Sequence, residues 1–345
     1  MNRRSVRNFI LFLIAVAAGA GASYGLRLSA EERAGRPADS EEKSNDETLK
    51  TLVWDSVLAP DAKGFRRMGP PSAGEWLFTN KEKPQSLDNY KVTTRIRPTP
   101  TRRTIVLQPL GQIDAEKMKL VESLREYAEI FFQLPVRIAE PIAIDVPGKN
   151  IYRTVPAGHR HGPWDKQYSS EKILSEILVK RLPEDAIVYL GITMEDLWAG
   201  DLNYVFGIGS LQERVGVYSL CRYFPDFWGE KPGANSARVG LTRSCKVLNH
   251  EAGHMFGLTH CVFYYCSMNG SNSLHETDLA PIHFCPVCHR KLLWNMGFDP
   301  EKRFTGLHDF YAKNGMKEDA EWLVERTKNW RAVMEREKFK KLTEE

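Results

Sequence analysis

One twelve-residue segment of this 345-residue chain constrains its structure and chemistry more than any other part. It reads HEAGHMFGLTHC and runs from residue 250 to residue 261. His250 and His254 are four residues apart, and on an α-helix this spacing places both imidazoles on one face, about one turn apart. The segment therefore predicts a long helix, from about Arg238 to Leu258, that carries two histidines able to share one ion.

The residues beside and after this pair predict a catalytic zinc site. Gly257 permits a left-handed turn without a Cβ clash, and that turn can bring His260 back as a third ligand. Three protein ligands leave a fourth position for water, which distinguishes a catalytic zinc site from a structural one. Glu251 flanks the site, and we expect it to accept the proton of the zinc-bound water that attacks a peptide bond.

A second group of metal ligands begins directly after the third histidine. Two short cysteine pairs separated by a loop are the usual way to build a closed tetrahedral zinc site, and here the pairs are Cys261 with Cys266 and Cys285 with Cys288. We therefore expect two zinc ions per chain, one catalytic and one structural. Two disulfides are the alternative in an exported chain, although a disulfide across CxxC is strained and reducible. Buried thiols and a further disulfide both remain open for Cys221 and Cys245.

The loop between the cysteine pairs contains a predicted tight turn. Asn269-Gly270 is a turn signal, so Met268 lies on a turn shortly after the third histidine. A methionine there can form an apolar floor beneath the catalytic zinc, or it can simply fill the core.

The pattern of apolar residues before this segment predicts an α/β domain, with a mixed, twisted sheet packed against helices. A strand is expected at 104–109 and a helix after the N-cap Asp114. Further strands are expected at 135–144, 186–192, 203–207 and 215–219, with a second helix at 171–181. We assign residues 104–310 to the catalytic domain.

The two ends of the chain have a different character. Arg3, Arg4 and Arg7 precede an apolar stretch, so residues 1–28 are predicted to be a signal peptide or a single membrane anchor. The protein would then be exported or membrane-anchored with its catalytic domain outside the cytoplasm; a cytoplasmic location is the alternative.

Three further segments complete the domain organisation. Residues 29–50 predict a disordered linker, and residues 51–103 predict an N-terminal appendage and connector. Residues 311–345 predict a charged C-terminal helix, and a solvated surface helix is favoured over one packed through Trp322, Leu323, Trp330 and Val333. The net charge of +4 is the small difference between 48 basic and 44 acidic residues, so no nucleic-acid partner is expected. Nothing in the sequence implies an oligomer.

Taken together, these residues resemble the archaemetzincins, a branch of the metzincin metallopeptidases. The resemblance rests on the HExxHxxGxxHC segment, on Cys266-x-Met268 and on Cys285-x-x-Cys288, and it extends over about residues 65–300. It implies a compact metzincin-like zincin fold, a Met-turn at Met268 and a peptide or protein substrate. It also implies that an edge strand aligns this substrate through Asn203, Tyr204, Val205 and Phe206.

The sequence therefore predicts a zinc-dependent metallopeptidase. The first alternative is a non-catalytic, zinc-stabilised binding module of the cell envelope, which would have no need of Glu251. The second is a thiol–disulfide oxidoreductase that uses Cys285 and Cys288, which would leave the HExxH segment without a purpose.

Overall fold

The computed structural model describes residues 64–156 and 164–328. The predicted signal peptide or anchor and the predicted linker lie outside these residues, as does the end of the C-terminal helix. Among the described helices, none is long and apolar enough to cross a membrane.

A five-stranded mixed sheet forms the centre of the fold. Its order is β2-β1-β5-β8-β7, and only the edge strand β7 is antiparallel to its neighbour. The central strand β5 (AIVYLGIT) is buried along its whole length, as expected for an apolar run covered on both faces. The strands are β1 (Thr104–Leu110), β2 (Val136–Ile138), β5 (Ala186–Thr193), β7 (Gly207–Gly209) and β8 (Val215–Ser219).

A smaller three-stranded sheet lies beside it, in the order β3-β4-β6. Its strands are β3 (Tyr152–Thr154), β4 (Lys166–Ser169) and β6 (Asp196–Trp198). The helix predicted at 171–181 is present but irregular: one α-helical turn at Ser170–Lys172 continues as a π-helix through Ile173–Leu178 and a 3-10 turn through Val179–Arg181. Its buried residues Ile173 and Ile177 belong to a core shared with β5 and β8.

Helices cover the other face of the large sheet. One (Ala115–Phe132) is capped by Asp114, whose carboxylate accepts from the Lys117 amide. The helix that carries the histidine pair (Ser236–Met255) packs beside it and against β7 and β8. Three more follow: Leu274–Leu279, Pro286–Met296 and Pro300–Lys313. Two shorter helices precede these in the chain, so the numbering starts at α3. Ala115–Phe132 is α3, the 170–181 helix is α4 and Ser236–Met255 is α5. Leu274–Leu279 is α6, Pro286–Met296 is α7 and Pro300–Lys313 is α8.

The described part of the predicted appendage is not separate from the main domain. Residues 75–97, which we name the strap, contain α1 (Trp76–Thr79) and α2 (Leu87–Thr93). Tyr90 and Ile96 are buried in the same core as the helices of the main domain. Sequence pattern missed this because the apolar residues of the strap are too few and too scattered to indicate a shared core.

The C-terminal helix also joins the core. Residues 317–328 are helical, and we call this helix α9. Met316, Ala320 and Leu323 are buried, and the Trp322 ring stacks on His283 with centroids 3.6 Å apart. The expectation of a solvated surface helix is therefore wrong for this part, because its apolar positions recur at helical spacing and face the protein.

Candidate active site

The histidine helix α5 ends in a Schellman motif that redirects the chain. The Gly257 amide donates to the His254 carbonyl and the Leu258 amide to the Gly253 carbonyl, which is the hydrogen-bond pattern of this cap. Gly257 has φ +86°, so the predicted left-handed turn is present. The helix ends at Met255, before the expected Leu258, because this motif begins there. The turn returns His260 to the helix.

Three imidazoles converge at this point. The Nδ1 atoms of His250 and His254 lie 3.0 Å from the Ser267 carbonyl and 2.7 Å from the Leu258 carbonyl. Nδ1 of His260 lies 2.7 Å from a carboxylate oxygen, Oε1 of Glu82. Each Nδ1 therefore donates a hydrogen bond to an oxygen, and in a neutral ring this leaves the lone pair on Nε2.

These residues fit a zinc ion. The ligand atoms of the three histidines lie within 4.8 Å of one another, and Nε2 of His250 is 3.0 Å from Nε2 of His254. Burial lowers the pKa of His250 to about 3 and that of His254 well below its usual value, so both rings are neutral and their lone pairs face each other. A buried third nitrogen, Nε2 of His260, has no hydrogen-bond partner in the described residues. A shared cation would satisfy all three.

Glu251 lies beside the histidines with an unpaired carboxylate. Glu251 is 1% exposed, and neither oxygen of its side chain has a hydrogen-bond partner among the described residues, 64–156 and 164–328. Burial raises the pKa of Glu251 to about 8. It lines a cleft together with His250, Phe206 and Glu276. A buried carboxylate facing a cleft at a metal centre is suited to proton transfer.

The edge strand β7 approaches Glu251 closely, and sequence reasoning missed this contact. A Cβ on Gly207 would lie 2.7 Å from Oε1 of Glu251, and a Cβ on Gly209 would lie 2.7 Å from the Glu251 carbonyl. Glycine at both positions is therefore required for the strand to pass the helix. Gly-x-Gly in a short predicted strand is the signal that could have indicated it.

The predicted edge strand at 203–207 is wrong in its bounds. Asn203, Tyr204, Val205 and Phe206 precede β7, which begins at Gly207. Val205 instead bridges to Leu197 in the small sheet, so this segment crosses from one sheet to the other before pairing with β8. Phe206 reaches the cleft, whereas the Tyr204 ring packs under the Arg222 guanidinium at 3.8 Å.

The four predicted cysteine ligands also converge. All six cysteines of the chain are free and buried, so none of the three disulfides considered above is present. The four sulfur atoms of the cluster lie within 4.8 Å of one another, and the Cys285 amide donates to Cys266 Sγ at 3.2 Å. Hydrogen bonds from Cys266, Cys285 and Cys288 hold the pKa of the Cys261 thiol well below its usual value. Four sulfurs that converge on one point fit a zinc ion. Cys221 and Cys245 are buried thiols outside this cluster.

Met268 lies on the predicted turn, directly below the histidine helix. It is fully buried, and a Cβ added to Gly253 would lie 2.4 Å from its sulfur. Its carbonyl accepts from the Cys261 amide at 2.8 Å. The turn therefore connects the histidine helix to the cysteine cluster.

The strap supplies contacts to the site that no motif indicated. Glu82 binds His260 across 178 residues of sequence, and the Gln85 side chain binds the backbone at Gly257 and Thr259. The resemblance included parts of the strap, but no spacing rule relates Glu82 to a ligand so far away in the chain.

Comparison with known proteins agrees with this geometry. A model of peptidase family M54 matches residues 113–293. The chain is 33% identical to archaemetzincin-2 of Mus musculus over 284 residues, which is 74% of this chain and 77% of that protein. It is 29% identical to the archaemetzincin of Pyrococcus furiosus over 196 residues, which is 57% of this chain and 95% of that protein.

A solved structure is also similar. The crystal structure of archaemetzincin from Archaeoglobus fulgidus, complexed with malonate, aligns with a TM-score of 0.41 and 29% identity. The alignment covers 55% of this chain and 99% of that one. Because the family match spans more than half of the chain and a relative is 33% identical over most of its length, this chain belongs to peptidase family M54, the archaemetzincins, and is a zinc metallopeptidase.

Proposed function

We propose that the chain hydrolyses peptide bonds at the three-histidine site, with Glu251 as the group that moves the proton. One observation carries the proposal: a buried carboxylate with no protein partner in the described residues lies beside three converging imidazoles and opens on a cleft. A purely structural metal site has no use for this carboxylate.

His250, His254 and His260 would hold the zinc ion. When bound there, zinc polarises the scissile carbonyl and makes water acidic enough to lose a proton near neutral pH. The positive charge of that ion would favour the ionised form of the buried Glu251 carboxylate, so Glu251 can accept the proton on a carboxylate oxygen and return it to the leaving amine. The backbone of β7 at Gly207 and Gly209 supports this step because it holds Glu251 against the site.

The substrate would bind as an extended peptide along the edge of the large sheet. β7 pairs with β8 on one side and is the last strand of the sheet, so its outer edge can accept a further strand. Phe206, directly before β7, lines the cleft. Asn203, Tyr204 and Val205 would form the approach to this edge.

Cys261, Cys266, Cys285 and Cys288 would hold a second, structural zinc ion, so we propose two ions per chain. Four sulfur ligands close the coordination of zinc and leave no position for water. The chemistry is therefore assigned to the histidine site alone.

Glu251→Gln tests the proposal because it keeps the shape of the side chain and removes the base. We expect the variant to retain both zinc ions and to lose peptidase activity by about 10²- to 10⁴-fold, measured as kcat/KM on a mixture of short peptides alongside zinc content. Glu213→Gln, at an exposed position, is the matched control and should behave as wild type. Full turnover in zinc-loaded Glu251→Gln would contradict the assigned role.

A further inference from the structure

The orientation of the third histidine differs from that of the other two. His250 and His254 lie on a helix, and their Nδ1 atoms meet backbone carbonyls. His260 lies on a loop after the helix has ended, and its Nδ1 meets the Glu82 carboxylate at 2.7 Å. A hydrogen bond to an ionised group is roughly twice as strong as one between neutral groups. Of the three acceptors, the carboxylate of Glu82 is the strongest, and it contacts His260, the one histidine of the three that no helix orients.

Glu82 is on the far side of the His260 ring from Nε2. Nδ1 and Nε2 lie on opposite edges of an imidazole, and Oε1 of Glu82 contacts Nδ1. The carboxylate therefore acts through His260 and is not itself a ligand. The His260 side chain is fully buried and Glu82 is 21% exposed, so the contact lies at the inner edge of the protein surface.

Trp76 fixes the position of Glu82. Its indole Nε1 donates to the same oxygen, Oε1, at 2.7 Å, and its ring meets the His260 ring edge-on with centroids 5.2 Å apart. Trp76 itself packs on Gly270, where a Cβ would lie 2.4 Å from the indole. Glu82 therefore contacts His260 on one side and Trp76 on the other, and Trp76 packs against the turn that follows Met268.

The rest of the strap supports the bend that delivers His260. The Gln85 amide donates to the Gly257 carbonyl at 3.0 Å, and its oxygen accepts from the Thr259 amide at 3.3 Å. The Lys291 ammonium of α7 holds that oxygen at 3.1 Å. The Tyr90 hydroxyl donates to the carbonyl of Phe256, the residue before Gly257, at 2.7 Å. These contacts satisfy carbonyls that the end of a helix leaves unpaired.

We propose that Glu82 is a positioning residue for the catalytic zinc and that the strap is part of the metal centre. By accepting a hydrogen bond from Nδ1–H, Glu82 fixes the tautomer and the direction of the Nε2 lone pair and increases the basicity of Nε2. The strap lies outside residues 113–293, the part matched by the family model. The inference rests on the proposed zinc site.

Zinc affinity measures this role independently of activity. With full-length protein, competition with a chromophoric chelator gives the Kd of the exchangeable ion. Glu82→Ala is expected to raise this Kd by about 10- to 100-fold. Glu82→Gln, which keeps an acceptor oxygen but loses the charge, should raise it by less. Asp88→Asn removes a charge from an exposed position of the same strap and should leave the Kd unchanged.

Two further measurements separate positioning from general stability. Cobalt(II) substituted at the site should show a shifted visible spectrum in Glu82→Gln, which a loss of strap packing alone would not produce. If Glu82→Ala does not fold, Glu82→Gln still tests the proposal. A wild-type Kd and spectrum in Glu82→Gln would overturn it.

His260→Ala distinguishes failure of this inference from failure of the zinc site. Loss of the exchangeable ion in His260→Ala with a wild-type Kd in the Glu82 variants would overturn the positioning role alone. A wild-type Kd in His260→Ala would overturn the proposed zinc site, and the positioning role with it.

Discussion

The chain brings together two clusters of metal ligands that are consecutive in sequence, since His260 belongs to one and Cys261 to the other. At the histidine cluster three nitrogen ligands lie beside an unpaired carboxylate, and His250 and Glu251 line the cleft. At the cysteine cluster four sulfurs converge, their residues are at most 3% exposed, and none of them lines that cleft.

The difference lies in how each cluster is completed. The imidazoles are oriented by oxygen acceptors behind them and leave their lone pairs directed at one point. At the cysteine cluster, backbone amides such as those of Cys285 and Cys288 donate hydrogen bonds to the sulfurs. Such hydrogen bonds stabilise thiolates, and four sulfur ligands leave no position for water. Under the proposed function, donor number and surroundings separate the open, catalytic site from the closed, structural one, although one peptide bond joins their nearest residues.

The largest expected effect is loss of the closed site. Cys285→Ser removes one sulfur of four, and free energy on the order of 10 kcal/mol is coupled to folding at such zinc sites, which is comparable to the stability of a whole domain. We expect the variant to unfold, or its Tm to fall by more than about 10 °C, with impaired catalysis through a loosened His260. Thermal unfolding and peptide hydrolysis measure both.

Two controls keep this comparison sharp. Cys245→Ala alters a buried thiol outside the cluster and should cost only about 1 kcal/mol. His260→Ala should lose the exchangeable ion and activity while the fold persists. Full activity in Cys285→Ser would show that the two clusters are energetically independent despite their shared backbone.

A smaller effect is expected at the bend between the clusters. Gly257 has φ +86° and a Cβ there would lie 2.4 Å from Thr94 Oγ1. Gly257→Ala combines a left-handed backbone, which costs about 1–2 kcal/mol, with a clash against the strap of about 1–3 kcal/mol. We expect a loss of roughly 2–5 kcal/mol in the free energy of unfolding, measured with urea, and weaker zinc binding.

Gly297→Ala is the matched control for this variant. Gly297 also has a positive φ, +65°, but nothing lies within 4 Å of an added Cβ. It should show the backbone cost alone and leave zinc affinity unchanged. Equal losses in the two variants would mean that the strap yields at Thr94 and does not hold the bend.

The two ligand sets were predictable because their spacing is local. Positions 250 and 254 share a helix face at any HExxH segment, and the Cys285-to-Cys288 spacing forms its own turn at a helix start. The central strands were predictable for the same reason: a continuous run of mostly apolar residues such as β5 (AIVYLGIT) indicates burial on both faces.

The remaining features depend on packing between distant residues. Glu82 reaches His260 only because the strap folds back over the end of α5, and no periodicity in the sequence indicates this. The true start of β7 depends on the competing bridge between Val205 and Leu197. The packing of α9 depends on the stacking of Trp322 on His283. No pattern in the sequence relates the two segments that carry these residues.

The smallest expected effect concerns Met268, which lies between the histidine helix and the cysteine cluster. Met268→Leu conserves volume, so the free energy of unfolding should fall by less than about 1.5 kcal/mol. If the Met268 sulfur is only an apolar surface against Gly253, kcat/KM should stay within about tenfold of wild type. Met255→Leu is the control, since Met255 is equally buried in α5 but its methyl faces Gly216 of β8. A hundredfold loss in Met268→Leu with zinc retained and Met255→Leu unaffected would show that the open site depends on the sulfur itself, and that the turn joining the two clusters also tunes the chemistry of one of them.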